Sequence, residues 1–118
     1  MDDLRMRCKV LSIRTIKFVE CMPNKRAAWI ITDQLLRSIM SIGANLSEAR
    51  GSGSRLEFKR FHEIALKSAN ESMYWLEVLR DSDLVEPNGV VGLLDEVEQV
   101  SRMIAAGVKK LKAGLSGS

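Results

Sequence analysis

Between Ser41 and Trp75 the chain reads SIGANLSEARGSGSRLEFKRFHEIALKSANESMYW, two long runs of helical periodicity joined by a loop of a few residues. A link that short leaves two helices little choice except to lie side by side and antiparallel. Before the loop, Ile31, Leu35, Ile39, Ile42, Leu46 and Ala49 recur at the spacing of one helix face. After it, Phe58, Phe61, Ala65, Ser68, Ser72, Leu76 and Leu79 do the same. Gly51 is placed to end the first helix in the left-handed conformation. Ser54 and Glu57 spell a capping box, S-x-x-E, directly ahead of Phe58 and Phe61.

The remaining sequence supplies two further helices to cover this pair. One runs from about Asp3 to Cys21 and carries an apolar stripe of Leu4, Cys8, Leu11, Phe18, Val19 and Met22. A second stripe on it, Met6, Val10 and Ile13, points elsewhere, among Arg5, Arg7, Lys9, Arg14 and Lys17. Pro23-Asn24 breaks the pattern, and the next helix runs from about Lys25 to Arg50. There Trp29, Leu36 and Met40 widen the apolar arc to about half the circumference, more than a surface helix of a lone bundle requires. The third helix runs from about Arg55 to Arg80. A fourth follows Glu86-Pro87-Asn88-Gly89 and reaches about Lys112, with Val90, Leu94, Val97, Ile104, Val108 and Leu111 inward. No strand pattern or internal repeat competes. The expected fold is all-α, an up-down-up-down four-helix bundle of residues 1–113 with a flexible tail over 114–118.

Composition narrows the function. No apolar run approaches the roughly 20 residues of a membrane span, and the opening DDLRMR lacks a secretory core, so a cytoplasmic protein is expected. Cys8 and Cys21 sit on one helix, roughly 20 Å apart, beyond disulfide reach. With His62 the single histidine of 118 residues, no metal site, cofactor site or nucleophile–base set can be assembled. The expectation is a protein without enzymatic activity and without a small-molecule substrate.

The order QLLRSIMSIGANLSEARGSGSRLEFKRFHEIALKSANE resembles the four-helix-bundle proteins encoded by intervening sequences in bacterial large-subunit ribosomal RNA genes. That family is related to the accessory variability proteins of diversity-generating retroelements. The residues that carry the resemblance are Gln34, Arg37, Ser41, Ile42, Asn45, Glu48, Gly51, Glu57, Phe58, Arg60, Phe61, Ala65, Ser68 and Glu71, within 34–76. Ala49, ahead of Arg50, departs from it, since the family commonly places glycine after the glutamate. The resemblance implies a homopentameric ring without established enzymatic activity. Through the retroelement branch it implies RNA or DNA binding in support of a reverse transcriptase.

Charge and polarity suggest where such roles would sit. In an up-down-up-down bundle one end gathers Arg5, Arg7, Lys9, Arg50, Arg55, Lys59, Arg60, Lys109, Lys110 and Lys112, against Asp2, Asp3, Glu48 and Glu57. The other end gathers Lys25, Arg26 and Arg80 against Glu20, Asp33, Glu77, Asp81, Asp83, Glu86, Asp95 and Glu96. The basic residues are therefore candidates for nucleic-acid binding along the phosphate backbone, with the loop N–H groups assisting. A solvated basic face is the plainer alternative. Gln34, Arg37, Ser41, Asn45, Glu48 and Glu71 read as structural or interface polar groups, with Arg60 and Glu71 the expected partners of the Ser41–Asn45–Glu48 stripe. Met6, Val10, Ile13, Trp29, Leu36 and Met40 are the expected oligomer interface. A scaffold that docks a protein such as a reverse transcriptase, without touching nucleic acid, is the alternative function.

Overall fold

The computed structural model describes residues 2–116, and every regular element among them is a helix. Helix α1 spans Asp2–Glu20, α2 Arg26–Arg50, α3 Arg55–Asp81 and α4 Pro87–Ser116. Their starts and stops follow from local chemistry. α1 ends ahead of Pro23, where the Cys21 and Met22 N–H groups donate to the Phe18 and Val19 carbonyls at 3.2 and 3.1 Å. α4 begins on Pro87, whose ring presets the helical φ and whose missing N–H would have no intrahelical partner there. At α3 the Ser54 hydroxyl accepts from the Glu57 N–H at 3.1 Å, while Glu57 Oε1 accepts from the Gly53 N–H at 3.0 Å. The capping box forms, closing onto Gly53.

Gly51 departs from expectation. Its φ of −93° and ψ of 7° are not left-handed. α2 tightens in its last turn instead, with the Gly51 N–H donating to the Glu48 carbonyl and the Ser52 N–H to the Ala49 carbonyl, both at 3.1 Å. The Ser52 hydroxyl adds a bond to the Ala49 carbonyl at 2.6 Å. These bonds satisfy the end carbonyls, so no left-handed residue is needed. α4 also runs past the expected Lys112 to Ser116. Residues 114–116 of the expected tail are thus helical in backbone, and 117–118 lie outside the described residues.

Each helix packs on two neighbours: α2 on α1 and α3, α4 on α3 and α1, in a body of 52 × 22 × 22 Å. Contacts along the axes run in opposite directions, as an up-down-up-down bundle requires. Gly43 of α2 meets Cys8 of α1, Ser41 of α2 meets Ser68 of α3, and Gly89 of α4 meets Phe18 of α1. The core is aliphatic, with Leu11, Leu35, Ile39, Ile42, Leu76, Leu79, Val90, Val97, Val100 and Ile104 fully buried. Aromatic residues stay at its margin: Phe18 and Trp75 pack against it half-buried.

Polar groups inside the bundle are satisfied locally. Thr15 and Thr32 donate back to the Leu11 and Ala28 carbonyls at 2.8 and 2.7 Å. Ser38 donates to the Leu35 carbonyl at 3.0 Å. The Ser72 hydroxyl lies 2.8 Å from both Ser38 Oγ and the Ser68 carbonyl and shares its proton between them. Between α3 and α4, Ser101 donates to Asn70 Oδ1 at 3.3 Å.

A close approach of α1 and α2 depends on Gly43, where an added Cβ would stand 3.2 Å from Cys8 Cβ. Gly43→Leu should lower stability by about 1–3 kcal/mol through overpacking. Gly107→Ala, with nothing within 4 Å of its Cβ, should instead raise it by roughly 0.5–1 kcal/mol. Thermal melts of the two variants check both signs.

Candidate nucleic-acid interface

The α2–α3 turn brings Arg50, Ser52, Gly53, Ser54 and Arg55 together with Phe58 of α3 and Leu111 of α4 around a shallow depression of about 590 Å³. Arg55 reaches across to α4: a Cβ on Gly114 would come within 2.7 Å of its Nη2. Lys112 completes the group from α4, 3.9 Å from Glu63 of α3, which also holds Lys59 at 3.4 Å. Glu63 therefore sits between two of the expected phosphate ligands. Lys59 is largely covered, its side chain 19% exposed. Arg50, Arg55, Arg60, Lys109, Lys110 and Lys112 are exposed.

The loop N–H groups are mostly occupied. Those of Gly51 and Ser52 close the end of α2, and those of Gly53 and Glu57 are taken by the capping box. An anion approaching this end meets guanidinium and ammonium groups rather than a ring of open backbone donors.

Arg7 corrects the expected separation of charge. Its Nε and Nη2 donate to Glu96 Oε2 and Oε1 at 3.0 and 2.9 Å, and Nη2 also donates to Gln99 Oε1 at 2.9 Å. Arg7 belongs to the expected basic end and Glu96 to the acidic one, yet they form one clasp. Helix length is the cause: α4 has 30 residues against 19 in α1, so the start of α1 lies level with the middle of α4. Lys109, Lys110 and Lys112 continue more than a turn beyond that level. The hydrogen bonds and charge of Glu96 push the Arg7 guanidinium above its already high range. Arg7 is thus a seam residue. Arg5 and Lys9 stand with Arg50 in a different place, a groove between α1 and α2.

On the α2 polar stripe, Ser41 and Asn45 form hydrogen bonds, with partners other than those expected. Ser41 Oγ meets Ser68 Oγ at 2.9 Å, and Asn45 Nδ2 donates back to the Ser41 carbonyl and hydroxyl at 2.8 and 3.0 Å. Glu48 is exposed. Glu71, expected to serve the stripe, accepts instead from Trp75 Nε1 at 2.9 Å, and Arg60 faces solvent. Gln34 is half-buried and Arg37 exposed. Serine's small volume explains the substitution: Ser68 and Ser72 let α3 approach closely enough for hydroxyl-to-hydroxyl bonds that a long charged side chain would obstruct.

Of the expected interface residues, Met6, Val10, Ile13, Trp29 and Met40 are exposed and Leu36 is half-buried. Ile16, Ile30, Leu56, Ile64, Tyr74, Val91 and Met103 are exposed as well, outside the expected interface set. Ile16 was within reach, one turn past Ile13 on the same stripe; Tyr74 was not, because its outward position follows from the packing of α3. His62 stacks on Phe58 with ring centroids 4.4 Å apart, and its Nδ1–H donates to the Phe58 carbonyl at 2.9 Å. Among the described residues no group of three His, Cys, Asp or Glu side chains could hold a metal ion. No described helix is long and apolar enough to cross a membrane.

A family model described as the 23S rRNA-intervening sequence protein matches residues 3–106. Among solved structures, the chain is similar to a protein of unknown function from the S23 ribosomal protein family of Bacteroides thetaiotaomicron VPI-5482. The two are 27% identical with a TM-score of 0.83, covering 90% of this chain and 98% of that one. No curated protein matches the chain.

The two cysteines have opposite environments: Cys21 is exposed and Cys8 buried. Burial pushes the Cys8 thiol up to about 11, with nearby Arg7 opposing to a smaller extent. The folded state thus holds this proton more tightly than the unfolded chain. The stability this contributes is present in full below about pH 9 and is lost as pH rises towards about 11. A thiol reagent at pH 8 should label Cys21 quickly and Cys8 only on unfolding. The melting temperature should fall between pH 9 and 11, and Cys8→Ala should flatten that fall.

Proposed function

The chain belongs to the 23S rRNA-intervening sequence protein family, and from that premise we propose a non-enzymatic accessory protein that binds RNA or DNA through its phosphate backbone. The observation that carries this reading is the convergence of Arg50, Arg55 and Lys112 around the α2–α3 turn, with Arg60, Lys109 and Lys110 exposed nearby. Exposed cations gathered at one end attract a polyanion and release its counterions on binding. Such contacts position a backbone without reading bases. Phe58, which lines the depression, is stacked on His62, and no row of exposed rings among the described residues flanks the turn to stack successive bases.

Assembly into a ring, five-membered as the family resemblance implies, would repeat this basic end around an axis. The outward apolar side chains of the first half of α2, Trp29, Ile30 and half-buried Leu36, support self-association, since isolated bundles rarely expose so much apolar surface in one region. The setting proposed is the cytoplasm, where nucleic acid is accessible.

The double variant Arg55→Glu with Arg60→Glu tests the binding surface and spares Lys59, whose reversal would face Glu63. Fluorescence anisotropy with a mixed RNA and a duplex DNA should show binding that weakens steeply with salt, and a salt slope reduced by about two in the variant. Lys25→Glu with Arg26→Glu, at the opposite end, should leave binding unchanged. Equal loss from both ends, or no binding at low salt, would favour the scaffold reading. For assembly, light scattering should give several times 13.2 kDa, and Trp29→Glu should shift the species towards that single mass.

A further inference from the structure

Along the flank formed by α1 and the second half of α2 runs a groove of about 570 Å³ that shares Arg50 with the depression at the α2–α3 turn and otherwise lies apart from it. Its floor is made of small side chains: Gly43, Ala44 and Ser47 on α2, with Ser12 on α1. Gly43 lets the two backbones close up, and Ala44 and Ser47 add little height, so the floor is a trough two helix turns long. Met6 and Ile13 of α1 and Met40 of α2 rise beside it, 57%, 43% and 42% exposed. Cys8 and three cations, Arg5, Lys9 and Arg50, complete the lining, and it contains no acid.

We propose that this groove docks an acidic amphipathic helix of another protein. A helix laid in a groove presents apolar anchors at i, i+3 or i+4, and i+7, and the cations beside this floor call for acids flanking those anchors. No helix of this chain answers that description. α1 has the apolar spacing in Met6, Val10 and Ile13, but the residues around it are Arg5, Lys9, Arg14 and Lys17. α2 pairs Trp29 and Met40 with Arg26 and Arg37 against Asp33 alone. The exposed large apolar residues of α3, Leu56, Ile64 and Tyr74, and of α4, Val91 and Met103, are each more than two turns apart. A second copy therefore lacks the complementary helix. Nucleic acid fits less well, because the walls, Met6, Ile13 and Met40, are apolar and the lining holds no aromatic ring on which a base would stack. Methionine on both walls suits a helical ligand, since its flexible thioether repacks around differing anchors.

The test uses the full chain and two fluorescent synthetic helices of about 20 residues. One carries leucine at i, i+4 and i+7 with glutamate around it; the other is the same sequence with lysine for glutamate. The glutamate peptide should bind saturably and the lysine peptide at least about tenfold more weakly. Ala44→Glu, at an exposed floor position, should weaken the glutamate peptide by a similar factor while the melting temperature holds. Lys9→Glu, on the rim, should shift preference towards the lysine peptide and serves as the variant if Ala44→Glu melts early. The proposal is overturned if the peptides bind alike or not at all, or if neither variant changes binding. It is equally overturned if Ala44→Glu dissociates a homo-oligomer, or if an RNA oligonucleotide displaces the peptide and loses its own binding in Ala44→Glu, because the groove would then belong to a second copy or to nucleic acid.

Discussion

The α2–α3 seam is the contact on which the remaining arrangement depends. Ser41 meets Ser68 and Ser38 meets Ser72 at 2.9 and 2.8 Å, one turn apart on α2 and one turn apart on α3. Two such bonds fix both the separation and the register of the helices. A slip of one residue would break both pairs and set larger side chains against the serines, although Ser38 and Ser72 would keep their bonds to the Leu35 and Ser68 carbonyls. Ala65 and Ala69 on the same side of α3 keep the backbones close. With this pair set, the apolar stripes of α2 and α3 form a trough that the inner stripes of α1 and α4 close.

Closure is less even than the seam. α1 contributes fewer buried residues than its partners, and polar contacts help hold it to α4. Arg7 spans Glu96 and Gln99, and Arg14 lies against Gly92. Because Arg7 remains about a third exposed, its clasp is worth less than its geometry alone suggests; its larger role is to orient α1. The clasp also splits the basic residues into two groups with different surroundings. Arg55 and Lys112 look out from the turn, while Arg5 and Lys9 border an apolar trough. The expected basic cap becomes a cationic end at the turn and a flank with mixed apolar and cationic character.

The family connection fits this division of labour without naming a reaction. The relative from Bacteroides thetaiotaomicron VPI-5482 is itself described as a protein of unknown function. What the two chains share over most of their lengths is the helical fold, with a TM-score of 0.83. A core of Leu, Ile and Val packed by serine and alanine seams is rigid and well satisfied. Its outer faces carry the chemistry available for recognition.

The amino-acid sequence determined the number of helices, their order and most of their limits, because periodicity, Pro23, Pro87 and the Ser54–Glu57 capping box act within a few residues of chain. It also determined which stripe of α1 stays outside, since Met6, Val10 and Ile13 cannot share a face with Cys8 and Leu11. The conformation of Gly51 was not legible: several hydrogen-bond patterns can end a helix, and the one used depends on Ser52. The partners of Ser41 and Arg7 were equally out of reach. Ser68 is 27 residues away and Glu96 is 89, and local pattern does not say how far one helix overshoots another. Only the tertiary structure decided that Arg7 closes a seam while Arg55 faces outward, because the difference lies in the unequal lengths of α1 and α4 and in the register that the serine pairs impose.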